Sequence, residues 1–230
     1  ADGVTITGDS RPEAQVNALQ VQGQSLGGSV EVELDGAAAY NLANITAGAE
    51  SAEEADDAGT LTATVANDAV LNTETDLGDF SVDLDGADVD LTLTAAQAAG
   101  RKITGTDDDS VTVNGLAADT DLSKIDSAID VTANVAESID ISANESLKDV
   151  VDTFVVANDA VLTLSARQAD DQVVNPAVDD ADEATAAPAV VISGSLEALD
   201  EDLENIGEID QIDFRNVAAD FTFEGGSLEV

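Results

Sequence analysis

The sequence predicts a mainly β fold, a repetitive β-solenoid-like array with short helices. Three observations predict it. The heptapeptide Val-Ala-Asn-Asp-Ala-Val-Leu occurs twice, starting at Val65 and again at Val156. Segments of the same form (apolar, Ala, two polar, then an alternating strand) start at Val135 and Val217, and more loosely at Leu116, so a period near 20 residues recurs. The apolar supply is almost wholly Val, Leu, Ile and Ala, with one Tyr, five Phe and no Trp or Met. Small aliphatic layers of that kind suit stacked rungs, each burying its apolar face only against its neighbours. A tandem of small β-sandwiches is the alternative, because blocks of about 80 to 100 residues suit that domain.

The elements follow in order. Val30-Glu-Val-Glu-Leu34, Ser81-Val-Asp-Leu-Asp85 and Val89-Asp-Leu-Thr-Leu-Thr94 alternate apolar and polar residues, the period of a strand with one buried face. In the twin heptapeptides, Val65, Val70, Val156 and Val161 are expected inside, with Asn67 and Asn158 in equivalent turns, where Asx side chains bond nearby backbone. Leu91-Thr-Leu-Thr-Ala-Ala-Gln-Ala98 matches Leu162-Thr-Leu-Ser-Ala-Arg-Gln-Ala169. Helical spacing at Leu147, Val150, Val151 and Phe154, and again at Leu196, Leu199, Leu203 and Ile206, predicts short helices near Leu147 and Leu199. Asn41-Leu-Ala-Asn-Ile45, Asp121-Leu-Ser-Lys-Ile125 and Asp202-Leu-Glu-Asn-Ile206 share the form Asx-Leu-x-x-Ile. They divide the chain into three diverged blocks: 1–88, 89–169 and an incomplete 170–230. Three acidic stretches read as surface loops at block boundaries: Ala47 to Gly59, Thr106 to Ser110, and 169–189, which contains Pro176 and Pro188.

Composition excludes several functions. Seven Lys and Arg stand against 49 Asp and Glu, a net charge of −42. That field repels nucleic acid, whose binding needs basic side chains to displace counterions. It repels anionic lipid surfaces as well and attracts cations, above all divalent ones. With no Cys there is neither a disulfide nor a thiolate metal site, and with no His the usual zinc sites and His-based catalysis are missing. No run of 18 apolar residues predicts membrane insertion, and no basic-then-apolar signal peptide opens the chain. The Ala-Asp start fits a processed N-terminus and a trimmed chain alike.

Leu91-Thr-Leu-Thr-Ala-Ala-Gln-Ala98, Ile103-Thr-Gly105, Val111-Thr-Val-Asn-Gly115 and Asp121-Leu-Ser-Lys-Ile125 carry a resemblance. They resemble the Ala/Thr/Asp-rich repeats of very long secreted bacterial surface proteins of adhesin or surface-layer type, most closely over residues 89–169. The resemblance implies extracellular scaffolding or adhesion and no catalysis. Relatives of that type also carry glycine-rich nonapeptide calcium repeats. Here Gly27-Gly28 and Gly225-Gly226 lack the Gly-x-Asp that would follow.

Calcium is the one cofactor the residues suggest. Hard cations want several carboxylates near a tight turn. Asp83, Asp85, Asp88 and Asp90 surround Gly86; Asp107, Asp108 and Asp109 are consecutive; Asp179, Asp180 and Asp182 lie between the two prolines of the third loop. The first group misses EF-hand spacing. The alternation of inward Val82, Leu84, Val89 and Leu91 with outward Asp83, Asp85 and Asp90 favours a solvated face over a calcium loop. Arg101-Lys102, the one adjacent basic pair, is placed to neutralise Asp107 to Asp109. Glycosidase-type carboxylate pairs lack aromatic sugar platforms, and no nucleophile elbow or phosphate-binding loop is present. The expectation is therefore a secreted or cell-surface structural protein, not an enzyme, that self-associates into a surface layer, stalk or filament. A calcium-dependent adhesion module and a salt-adapted cytoplasmic protein are the alternatives.

Overall fold

A computed structural model describes residues 4–6, 30–34, 39–43, 45, 60–169, 172–177, 189–193 and 211–215. The fold is a parallel β-solenoid of about five turns with only two short helices among the described residues. Residues divide into two compact units, Ala1–Val113 with Lys124–Asp130, and Asn114–Ser123 with Val131–Val230.

In the first unit, β1 (Val4–Ile6), β2 (Val30–Glu33), β3 (Leu61–Val65), β5 (Ser81–Leu84) and β7 (Ile103–Thr104) form one parallel sheet in that order. Between them, β4 (Ala69–Val70), β6 (Asp90–Thr94) and β8 (Ser110–Asn114) hydrogen-bond in sequence as a second face. The rung length is read from the register. Ser81 pairs with Thr62, 19 residues earlier; Ile103 pairs with Val82, 21 earlier; Ile125 bridges Ile103, 22 earlier. In the second unit, β9 (Asp130–Val135), β11 (Thr153–Val156) and β13 (Val173–Pro176) stack on one face. There β10 (Ile139–Asp140), β12 (Val161–Ser165), β14 (Ala189–Ser193) and β15 (Gln211–Arg215) form a four-stranded parallel sheet. The expected period near 20 is thus the rung, and every named strand pairing is parallel.

The core follows from alternation. Val82 and Leu84, Leu91 and Leu93, Val111 and Val113, Val131 and Ala133, and Leu162 and Leu164 are all buried, with polar partners between them. Full burial of each Val or Leu contributes roughly 1.5–3 kcal/mol. Asp85 and Asp90 lie outside, as alternation predicts, and Asp83 is half-buried.

The twin heptapeptides are equivalent in one respect and mispredicted in another. Each closes a strand, turns at its Asn-Asp, and opens the next strand. Val65 and Val156 are buried, but Val70 is 68% exposed and Val161 half-buried. The residues that turn inward are Ala69, Leu71, Ala160 and Leu162. At each corner Ala takes the inner position and Val follows it one residue later on the other side of the strand. Asp159 adopts φ +69°, the left-handed geometry that Asp tolerates at a turn.

The helices differ from expectation. Leu147 lies in a 3-10 turn, Glu145–Leu147, and Phe154 belongs to strand β11. The segment near Leu199 and the Asp202 motif lie outside the described residues. The two α-helical turns are α1 (Ala95–Ala98) and α2 (Ala166–Ala169), which follow the matched Leu-Thr-Leu strands. Pro176 also departs from expectation, since it closes strand β13 instead of lying in a loop. Proline fits because β13 is the outer strand of its sheet among the described residues and Pro176 is its last residue.

Candidate functional site

Acidic side chains were the expected chemistry, and many are spent on corners. Asn41, Asn72, Asp76, Asp121, Asp126, Asp140 and Asn144 each accept, through Oδ1, the backbone N–H two residues on, at 2.9–3.3 Å. These are Asx turns, which close the backbone without a helix or ladder. Leu42 and Leu122, which follow Asn41 and Asp121, are fully buried, so these two copies of the Asx-Leu-x-x-Ile motif are equivalent. A further copy, with Phe in place of Ile, is Asp76-Leu-Gly-Asp-Phe80: Asn41 bridges Asp76 in parallel, and Phe80 N–H returns to Leu77 O.

The calcium candidates separate. Asp85, Asp88, Asp107 and Asp108 are exposed. Asp83 accepts the Thr104 hydroxyl, and Asp90 accepts the Ser110 hydroxyl. Asp109 is only 1% exposed. Its Oδ1 accepts Val89 N–H at 2.9 Å, and its Oδ2 accepts both the N–H and the hydroxyl of Thr106 at 2.7 and 2.9 Å. Burial pushes this carboxyl up, but the three hydrogen bonds outweigh burial and hold it below the usual carboxylate range. Asp109 therefore fastens a turn to the preceding rung and is no part of a surface loop. Asp179, Asp180 and Asp182 lie outside the described residues. Among the described residues no group of three or more acidic side chains is placed to hold a metal ion.

Two buried glutamines went unrecognised. Gln97 and Gln168 occupy the third position of α1 and α2. Their Oε1 atoms accept the N–H of Thr94 and Ser165, whose hydroxyls accept the glutamine N–H in return. The signal was in the sequence, Thr-x-x-Gln and Ser-x-x-Gln, the capping box. Each Nε2 then reaches back one rung, from Gln97 to Asn72 O and Thr75 O and from Gln168 to Ile141 O and Asn144 O.

The basic residues also depart from expectation. Arg101 does not turn to Asp107–Asp109. Its guanidinium donates to the carbonyls of Gln97, Phe80 and Gly78, the last at 3.1 Å. Desolvation pulls it below its ordinary pKa, and Asp76 and Asp79 pull it back up. Beside it opens a groove of about 420 Å³, lined among others by Gly78, Asp79, Ser81, Arg101, Lys102 and Lys124. Ser81, Lys102 and Lys124 hold one register on successive rungs, because Val82 pairs with Ile103 and Ile103 with Ile125. Both lysines are exposed, and among the described residues neither side chain forms a hydrogen bond or ion pair; the one salt bridge among those residues joins Lys148 to Asp149. Three of the chain's seven basic residues thus meet at one groove of a strongly acidic molecule.

Among the described residues no helix is long and apolar enough to cross a membrane. No protein-family model, no curated protein and no solved structure matches this chain.

Proposed function

We propose that the chain is a structural, extracellular segment of a cell-surface assembly, acting through length, rigidity and self-association as part of a surface layer, stalk or filament. One observation carries the reading: the buried polar side chains Gln97, Asp109 and Gln168 all hydrogen-bond to backbone of the preceding rung. Groups that an active site would aim at a substrate are committed here to fastening one turn onto the next. Stability in such an array is a sum of rung and interface contributions, so tight fastening of neighbouring rungs stabilises and stiffens the stack.

The charge of −42 opposes contact between copies. Divalent cations lower that barrier by bridging carboxylates of two molecules, in addition to the screening that any salt provides. Exposed pairs such as Asp107-Asp108 are suited to this bridging. The test is sedimentation velocity over a range of protein concentration, paired with negative-stain electron microscopy. Concentration-dependent rods, ribbons or sheets support the reading. A chain that stays monomeric at every concentration, with and without calcium, refutes self-association.

A further inference from the structure

We infer that the Lys102–Lys124 groove is the receptor for a carboxylate column, Asp68 and Asp90, on a second copy of this chain. The inference rests on the self-association proposed above and names its contact.

The lysines come first. Like charges stacked at one register of a sheet disfavour it, yet Lys102 and Lys124 stand on adjacent rungs with no ion-pair partner among the described residues. Arg101, the third cation, has its fork committed to carbonyls, so it fixes the groove wall and leaves the lysines to meet whatever enters. Against these cations the groove lining carries, among the described residues, one carboxylate, Asp79. Screening over a Debye length of about 8 Å hides most of the distant acids, so the local charge decides what docks.

The complementary surface is the second observation. Ala69 pairs with Leu91, which sets Asp68 beside Asp90 on successive rungs. Both are exposed. Asp68 holds the Asp90 N–H through Oδ1, and Asp90 takes the Ser110 hydroxyl through Oδ1, which leaves each Oδ2 without a hydrogen bond among the described residues. Both columns take their repeat from the same inter-strand spacing, about 4.8 Å. Two lysines and two carboxylates with one repeat therefore face each other pair by pair. Because groove and column are different surfaces, the contact is heterologous, so it joins copies head to tail into a ring or an open filament according to the rotation between them.

The test mixes ¹⁵N-labelled and unlabelled chain, joins touching amines and carboxylates with a carbodiimide, and maps mixed-isotope crosslinks by mass spectrometry. Crosslinks from Lys102 or Lys124 to Asp68 or Asp90 are expected. In a second arm, the Lys102→Asp/Lys124→Asp and Asp68→Lys/Asp90→Lys chains are each expected to associate at least about tenfold more weakly than wild type, and to co-assemble when mixed. Assemblies whose mixed crosslinks lie elsewhere, or swapped chains that fail to rescue one another while retaining wild-type circular dichroism, overturn this contact and leave the proposed function standing. A wild-type chain that is monomeric throughout overturns both.

Discussion

Replacing Gln97 by Met tests whether rung-to-rung fastening carries the stability of this solenoid. Methionine keeps the length and approximate volume of the side chain and removes all three of its hydrogen bonds. The amide nitrogen loses Asn72 O at 2.9 Å and Thr75 O at 3.0 Å, and Thr94 N–H loses Oε1 at 2.9 Å. Asn72 O keeps a second donor, Thr75 N–H at 2.9 Å, which softens that loss. At about 1 kcal/mol net per bond, and more for a buried group left unpaired, the cost is about 2–3 kcal/mol. For a chain of this size that lowers the melting temperature by about 4–12 °C.

Gln168→Met supplies an internal control. Gln168 reaches Ile141 O at 2.9 Å and Asn144 O at 2.7 Å, and Ile141 O likewise keeps the Asn144 N–H. The same arrangement recurs, so the same cost is expected, measured by urea denaturation with circular dichroism. Gln97→Glu is expected to cost more than Gln97→Met, because it aims an acceptor at two carbonyls. A loss under about 0.5 kcal/mol for both Met variants would refute the fastening argument. A large loss for one alone would refute their equivalence.

Asp109→Asn is expected to cost about 2–4 kcal/mol at neutral pH, since its amide nitrogen would meet a backbone donor from Val89 or Thr106. The folded state holds the Asp109 carboxyl below its usual value, so its contribution is complete above the unfolded value of about 3.9 and drains away as pH falls below about 4; a denaturation series from pH 7 to 2 should show a shallower acid limb in Asp109→Asn. Gly78→Ala should destabilise by about 2 kcal/mol or more, because φ is +50° and a Cβ would lie 2.7 Å from Ala43 Cα. Gly100→Ala, at φ +64° with open space, should cost only about 1 kcal/mol in the same urea assay. Calcium chloride should raise the melting temperature or the sedimentation coefficient beyond sodium chloride at equal ionic strength, and Asp107→Asn/Asp108→Asn should shrink that increment; identical curves would leave screening alone. Asp121→Asn/Asp126→Asn/Asp140→Asn should leave stability within about 0.5 kcal/mol at physiological salt and raise it at low salt, read by thermal melts.

The rung was legible because its causes are local. Alternation at Ser81–Leu84 and Asp90–Thr94 reports which side chains turn inward, and repeated segments report where the chain comes round again. Burial at Val70 and Val161 was misread because alternation restarts at each corner. A residue five positions beyond Val65 belongs to a new strand whose phase the turn sets. The helix read at Leu147 failed for a related reason. Buried Leu147, Val151 and Phe154 are spaced as on a helix, but they come from a 3-10 turn, a connection and a strand that share one interior. The groove was not legible at all. Arg101 is bound to carbonyls 21 and 23 positions earlier, which carry no side-chain signature, and Lys102 and Lys124 become neighbours only through the rung register.

Acidity itself divides into two parts once the corners are known. At equivalent Asx turns the chain uses Asn at 41, 72 and 144 and Asp at 76, 121, 126 and 140. Either residue supplies the Oδ1 acceptor, so the turn demands an Asx side chain and is indifferent to its charge. Asp109 differs, because it needs two acceptor oxygens for three donors and an amide cannot provide them. The fold therefore explains why short polar side chains recur at rung intervals, and it explains the ionised state of Asp109. It does not explain why Asp was chosen where Asn serves, at Asp121 or Asp140, or why Lys102 and Lys124 stand together with no ion-pair partner among the described residues. On the function proposed above, charge that the fold does not require would act on what lies outside it, and the calcium and sedimentation tests read that action directly.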